Sequence, residues 1–363
     1  MIFLHKKIFD ISGTAFGLNM SDLKVRAVQL ERSGKNEKVF GYGSSLIVPG
    51  SIIDGEIEKK DMVVSAIRNA IEKSVPEKIN SKKVICSLPE TKAFLRIIPI
   101  PKMSEEEARE AIKWEIEANI PLTLDQVYYD WQILEENISQ EKSKIDVLMV
   151  AIAKKTADQF IEVLEEAGLE VVGLEIESIS QARCLLDSKK NNEAALIIDI
   201  DDRRTGFFIS SKGIPCFTSS VPISGQSINN SIAKSLGVSL EEAEKIKNSY
   251  GIGSEFKNND LLSSLKPVLE NLVSEIERSI DFFISELKYA EKIDDIIICG
   301  SQANIKGLCS YLSKRLGRMV LLGNPWTNVN LGKDLPEIER NKSVEYSTAI
   351  GLAIKGLDYE NTN

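Results

Sequence analysis

Apolar residues along this chain fall into short β-branched runs and longer stretches at helical spacing, separated by polar turns. The run Ala194–Ile200 (AALIIDI) is apolar almost throughout, the pattern of a strand buried on both faces. It carries Asp199 near its end. A polar turn follows, with Asp201, Asp202, Arg203, Arg204 and Thr205, and then a second strand, Gly206–Ile209. Residues 16–30 (FGLNMSDLKVRAVQL) repeat the layout of strand, turn and strand, with Asn19 where Asp199 falls. Each copy leads into a third apolar stretch, Lys38–Val48 and Ile214–Ile223. A repeated three-strand meander predicts two related lobes. A carboxylate at the end of a buried strand, followed by a tight polar turn, suits Mg²⁺ and phosphate oxygens. An ordinary hairpin with a solvated turn leaves the same local pattern. A cleft between lobes, with one such loop from each, would be a natural nucleotide site.

The stretch between the repeats has its own rhythm. Asp61 is placed to cap a helix to Lys73, with Val63, Val64, Ile67, Ala70 and Ile71 on one face. Lys83–Leu88 and Ala93–Ile100 read as strands. Ser104 and Glu107 form a capping box for a helix to Asn119, whose apolar face would hold Ala108, Ala111, Ile112, Trp114 and Ala118. Strands Val127–Leu134 and Ile145–Ala153 flank a polar loop. Thr156 would cap a helix to Ala167, stopped by Gly168, and Leu169–Ile176 is a further strand. The order strand-strand-helix-strand-strand-helix-strand predicts an α+β subdomain over 83–175, inserted between the repeats. A first lobe would then span 1–82, completed by about 176–190 and 342–358, and a second lobe 191–341, with a helical part at about 226–290.

Ser178–Leu186 reads as a short helix leading into the second repeat, and in the second lobe helices follow at Ser227–Leu236 and, behind a Ser239–Glu242 capping box, Leu240–Ser249. A long helical pattern over Asp260–Ala290 aligns Leu261, Leu265, Val268, Leu272, Ile276, Ile280, Phe283 and Leu287. Asp295–Cys299 is a buried strand ending in Gly300-Ser301-Gln302, before a helix Ala303–Leu316. Such a turn either holds a ligand at a helix N-terminus or simply lets backbones pack closely. Val320–Leu322 and a final helix, Tyr346–Leu357, complete the chain.

Charge and composition narrow the chemistry. The 363 residues carry a formal net charge of -9, which argues against a primary role on nucleic acid or anionic lipid. The five cysteines are scattered without a CxxC, so buried reduced thiols are expected rather than zinc or disulfides. The single histidine, His5, argues against a Ser-His or Cys-His triad. No apolar run approaches a membrane span, and MIFLHKKIFD lacks the order of regions of a signal peptide.

With repeat, insertion and turns placed, the chain resembles the PilM family of type IV pilus assembly, a branch of the actin-like ATPases that includes the cell-division protein FtsA. The most specific stretch is IPIPKMSEEEAREAIKWEIEANIPLTLDQVYYDWQIL, residues 98–134. IDVLMVAIAKK, AGLEVVGLEIES, SLEEAEKIK, EIERSIDFF and the ending AIGLAIKGL are also similar to the family. The resemblance implies an α/β, actin-like (ribonuclease H-like) two-lobe fold with an inserted α+β subdomain. It also implies ATP and Mg²⁺ as cofactors. Asp199 would hold Mg²⁺ through water. Lys24 and the Ser21 and Thr205 regions would face the phosphates, with Asn19, Asp22, Asp201 and Arg204 in the same cofactor-binding loops, although Asp201 and Asp202 also place negative charge where the triphosphate would come. Gly225, Lys247, Arg278, Gly300 and Ser301 would lie along the adenosine, and Glu177 would position an attacking water. Without the resemblance, Lys247 and Arg278 read equally as a solvated helix face, and Glu177 as a helix N-terminal acid.

The loops depart from the family pattern. Gly-Leu-Asp-Ile-Gly-Ser is here Gly17-Leu18-Asn19-Met20-Ser21-Asp22, Asp-Ile-Gly is Asp199-Ile200-Asp201, and Ser-Gly-Gly is Cys299-Gly300-Ser301. Each loop loses a glycine that would let backbone N–H groups approach phosphate or sugar. The reading is therefore a scaffold with a degenerate nucleotide site. It would be cytoplasmic, recruited to the inner face of the plasma membrane without inserting into it. Its partners would be the N-terminal cytoplasmic peptide of a PilN-like membrane protein, held near 84–100 and 145–153, and other platform and motor proteins. An active actin-like ATPase, a small-molecule kinase and a filament-forming protein are the alternatives.

Overall fold

The computed structural model describes residues 14–134, 143–187, 194–252, 255–256, 259–285, 293–332 and 338–359. His5, most of the polar loop 135–144, Leu287 and the last four residues lie outside them. Two compact units emerge. Residues 1–190, 325–340 and 346–363 form the first, and 191–324 with 341–345 the second.

In chain order the first unit contains β1 (Phe16–Met20), β2 (Lys24–Ser33), β3 (Asn36–Leu46), β4 (Ile52–Ile53), β5 (Glu56–Ile57), α1 (Lys60–Glu72), β6 (Val75–Pro76), β7 (Lys83–Leu88), β8 (Ala93–Pro101), α2 (Glu105–Asn119), β9 (Val127–Ile133), β10 (Lys144–Ala153), α3 (Lys154–Glu166), β11 (Glu170–Ile176) and α4 (Glu177–Leu185). The expected meander is β1-β2-β3, antiparallel throughout. β7 joins β1 in parallel and β11 joins β7 in parallel, so one sheet is ordered β11-β7-β1-β2-β3-β6. A separate antiparallel sheet is ordered β8-β10-β9.

This pairing corrects the expected 83–175 insertion. Its outer strands, β7 and β11, belong to the main sheet, and the separate sheet spans only 93–153. The physical reason is burial. β7 is buried at five of its six positions, which a strand covered on both faces of a parallel sheet requires. Along β1, Phe16, Leu18 and Met20 share a core with Val63 and Ile67 of α1 and Phe160 and Leu164 of α3.

Three helix readings also change. The N-cap of α1 is Lys59, and Asp61 sits in the first turn, where its charge favours the helix dipole. Thr156 lies inside α3, its hydroxyl donating to Glu56 Oε1 at 3.3 Å rather than capping. The Ser104–Glu107 box opens α2 as expected, and Ala108, Ile112 and Ile116 are buried. Trp114 is 72% exposed and Ala118 is exposed too, because two residues beyond a buried position is the far side of a helix.

The second unit contains β12 (Ala194–Ile200), β13 (Thr205–Ser211), β14 (Ile214–Val221), α5 (Gly225–Leu236), α6 (Leu240–Tyr250), β15 (Glu255–Phe256), β16 (Asn259–Asp260), α7 (Leu261–Ser285, with Pro267 inside it), β17 (Ile293–Cys299), α8 (Leu308–Leu316) and β18 (Val320–Leu322). Its sheet is ordered β14-β13-β12-β17-β18, with β12 antiparallel to β13 and parallel to β17. The helix expected from Ala303 starts only at Leu308. Residues 301–307 are turns, and Gly307, at φ 86°, redirects the chain before α8. The Ser239 side chain accepts from Glu242 N at the start of α6.

After α9 (Arg340–Ser343), α10 (Ser347–Tyr359) packs in the first unit on α4, β1 and β2. Glycines set how close it comes. A Cβ on Gly17 would stand 2.1 Å from Ala349 O, and one on Gly351 1.9 Å from Ser180 O. Residues 325–340 also belong here, not in the second lobe as expected. Asn328 Nδ2 donates to the carbonyls of Arg183 (2.7 Å) and Leu186 (2.6 Å). Cys86, Cys184, Cys216 and Cys299 are buried, and Cys309 is only partly so. Among the described residues, no helix is long and apolar enough to cross a membrane.

Candidate functional site

The residues singled out by sequence fall into two clusters, one in each unit. In the first, the end of β1 delivers Asn19 to a buried position where Nδ2 donates to Ser87 Oγ (2.9 Å) and to Glu177 Oε1 (3.2 Å). Glu177 opens α4, where an acid suits the helix N-terminus. Its Oε2 accepts from Glu90 N (3.4 Å), while Glu90 Oε2 accepts from Ser178 N (3.0 Å). This reciprocal clasp ties the turn leading into β8 to α4. Burial, with Glu177 adding, pushes the neighbouring Cys86 thiol well up, so it stays protonated. Sequence reasoning missed Arg26. It is wholly buried and is the register partner of Asn19, and its one signal was an arginine within an apolar strand.

The first hairpin turn closes on itself. Ser21 N and Oγ both donate to Lys24 O (2.9 and 3.2 Å), and Lys24 N donates back to Ser21 Oγ (3.3 Å). Asp22 Oδ1 accepts from Gly55 N at 3.4 Å.

In the second unit, Asp199 near the end of β12 lies against Gly300. That glycine has φ 94°, and a Cβ there would stand 2.2 Å from Asp199 Oδ1 and 2.6 Å from Ile200 O. No other residue fits at that position. Asp201 N donates to Arg204 O (2.9 Å), closing the turn, and Asp201 Oδ1 accepts from Ser301 N (3.1 Å). The first N–H groups of α5 are engaged as well: Gly225 N with Asp201 O (3.0 Å), Gln226 N with Asp202 O (3.0 Å), and Ser227 N with Ser224 Oγ (3.2 Å). Thr205 is fully buried and donates its hydroxyl to Ile223 O at 2.7 Å.

Gln302, also missed by sequence reasoning, sits at the centre of this cluster. Its Nε2 donates to Asp202 Oδ1 (2.6 Å), and its Oε1 accepts from Lys247 Nζ (2.7 Å). Lys247, read as a flank of the adenosine or a solvated face, is neither solvated nor exposed: 1% of it reaches water. Arg278 is on the outer face of α7, paired with Glu275 at 3.0 Å.

A magnesium-bound triphosphate needs free donors and cations facing it. Here the Asp201 and Ser301 amides and the first amides of α5 already have acceptors within the chain, and the buried ammonium faces an amide oxygen, while Arg203 Nε is buried without a hydrogen-bond partner. At Ser301 N and at the first amides of α5, the donors of the second unit do not fit a magnesium-bound triphosphate, because the chain's own oxygens already occupy them.

Comparison with known proteins fixes the fold. The family described as type IV pilus assembly protein PilM matches residues 17–357. The cell division protein FtsA of Buchnera aphidicola subsp. Acyrthosiphon pisum is 24% identical over 372 residues, covering 89% of this chain and 85% of that protein. A solved PilM–PilN type IV pilus biogenesis complex superposes with a TM-score of 0.79 at 24% identity, covering 95% of this chain and 99% of that one. MreB5 of Spiroplasma citri, solved bound to AMPPNP, superposes with a TM-score of 0.53 at 15% identity, covering 97% of this chain and 98% of that one. The fold is therefore actin-like.

Proposed function

The chain belongs to the PilM family of type IV pilus assembly proteins, and from that premise we propose that it is a peptide-binding scaffold of the pilus inner-membrane platform. Its ligand is the extended N-terminal cytoplasmic segment of a PilN-like membrane protein. The protein itself is cytoplasmic and reaches the membrane through that partner, and other platform proteins dock on the assembled pair. Its nucleotide loops are degenerate, so turnover of ATP is not what it contributes.

One observation carries this reading. The β8-β10-β9 sheet has two unlike faces, as the pleat requires. One face, with Ile98, Ile100, Val147 and Met149, packs with Ala108, Ile112 and Ile116 of α2 into a closed core. The other face brings Leu95 opposite Val150 and Ile97 opposite Leu148, all four only half buried. β8 is an edge strand of that sheet. A half-covered apolar strip beside a strand edge suits an extended peptide, which takes backbone bonds from the edge and inserts alternate side chains. The PilM–PilN complex lends the class of partner.

The test is calorimetric titration with a synthetic peptide of the first residues of the PilN-like protein from the same organism. Saturable binding without nucleotide is expected, weakened at least ~10-fold by Ile97→Asp, since a carboxylate in an apolar pocket loses more than 1.4 kcal/mol. Peptide binding unaffected by Ile97→Asp and by Leu148→Asp would sink the assignment of this face.

A further inference from the structure

We propose that in the second unit the place of a nucleotide phosphate has been taken by the chain's own Asp201 carboxylate, fixed by a Lys247–Gln302–Asp202 relay. The inference deepens the degenerate-site reading above and rests on it. A loop merely short of glycines would leave its remaining N–H groups open to an anion. This loop does not. Ser301 N donates to Asp201 Oδ1 at 3.1 Å, a charge-assisted bond of the kind a phosphate oxygen would otherwise accept. A phosphate entering there would meet a like charge on the same donor.

The first amides of α5 are engaged in the same way. The amides of Gly225 and Gln226 reach the carbonyls of Asp201 and Asp202, so the N-terminus of α5 is occupied by the very turn that would present a phosphate to it. The Gln302 side chain lies flat on Gly225, and a Cβ there would stand 2.5 Å from Gln302 Cδ and 2.9 Å from Nε2. That amide then reads two charges at once, accepting from Lys247 and donating to Asp202. Lys247 is thereby held in a buried, hydrogen-bonded state without a nucleotide. The relay spans three separate segments: the β12–β13 turn, α6 and the turn after β17. Functionally, this half of the fold is kept in one shape by its own side chains, and its conformation does not depend on nucleotide supply.

Amide hydrogen exchange on the full chain, resolved at Ser301, tests this with and without millimolar Mg·ATP. The Ser301 amide is expected to be protected without nucleotide and unchanged by Mg·ATP. Asp201→Asn keeps the acceptor and should hold protection within about threefold. Asp201→Gly removes the acceptor and should lower protection ~10-fold or more, the value of a hydrogen bond to a charged group. If Asp201→Gly does not fold, the wild type and Asp201→Asn still decide. A Ser301 amide that exchanges freely in the wild type, or that becomes protected only when Mg·ATP is added, overturns the proposal. Neither arm involves peptide, so its failure leaves the scaffold reading standing, and loss of peptide binding leaves this one standing.

Discussion

Restoring the family's acid at position 19 should destabilise this protein, and the cost should grow with pH. Asn19 is 5% exposed, and its Nδ2 donates to Glu177 Oε1 at 3.2 Å. Asn19→Asp replaces that donor by a second carboxylate. Two like charges at this separation repel by about 4–5 kcal/mol at the effective dielectric of partly buried pairs. Loss of the donated hydrogen bonds to Glu177 and Ser87 adds ~1–3 kcal/mol. The protein escapes part of this by keeping one proton on the pair, which raises a folded-state pKa above the unfolded value of about 4. The sign follows. A raised carboxyl costs nothing below the unfolded pKa, costs ~1.4 kcal/mol per pH unit above it, and levels off at the folded pKa. Urea unfolding at pH 5 and pH 8 should show Asn19→Asp weaker than wild type at both, with the gap wider at pH 8 by ~2 kcal/mol or more. Asn19→Ala should lose the same amount at both pH values. An Asn19→Asp penalty independent of pH would refute the facing of residues 19 and 177.

Other predictions concern the frame that holds the two clusters. Glu175, 3% exposed in its side chain, receives both terminal nitrogens of Arg183 at 2.6 Å. Burial alone would lower the Arg183 guanidinium, yet Glu175 holds it above its ordinary value. Arg183→Ala should therefore cost ~3–5 kcal/mol in urea unfolding, because it strands a buried carboxylate, and a loss under 1 kcal/mol would contradict that. Gly351→Ala forces α10 off Ser180 O and should lower stability by ~1–3 kcal/mol, read as a drop in Tm. Hydrogen bonds from Arg315 and Tyr311 hold Glu270 at about 2. A depressed carboxyl supports the fold above its unfolded pKa and loses that support as pH falls through about 2. Acid unfolding curves of wild type and Arg315→Ala should thus differ above pH ~4.5 and converge toward pH ~2. Curves that stay apart below that range would refute the pairing.

The two meanders were legible because their signal is local. β-branched runs such as Ala194–Ile200 and the matching layout of 16–30 need no knowledge of what packs on them. Sheet membership is not local. β7 and β8 look alike in sequence, and only their partners, β1 for one and β10 for the other, separate the main sheet from the small one. Trp114 was misplaced because an apolar residue next to an apolar stripe reads as part of it. At the candidate site, sequence gave the positions but not the partners. Asp201, Asp202 and Gln302 are polar residues in turns, and nothing nearby says that a carboxylate will reach an amide 100 residues away. Lys247 was legible as a lysine on a helix, but not as a buried one, since the Gln302 oxygen it donates to is 55 residues away in the chain.

The scaffold claim meets its most direct test in amide hydrogen exchange of the whole chain, with and without the PilN-like N-terminal peptide and with no nucleotide present. The account predicts added protection in 93–100 and 145–153, with 194–225 and 300–302 unchanged. Protection confined to 194–225 and 300–302, or none anywhere at saturating peptide, would contradict it.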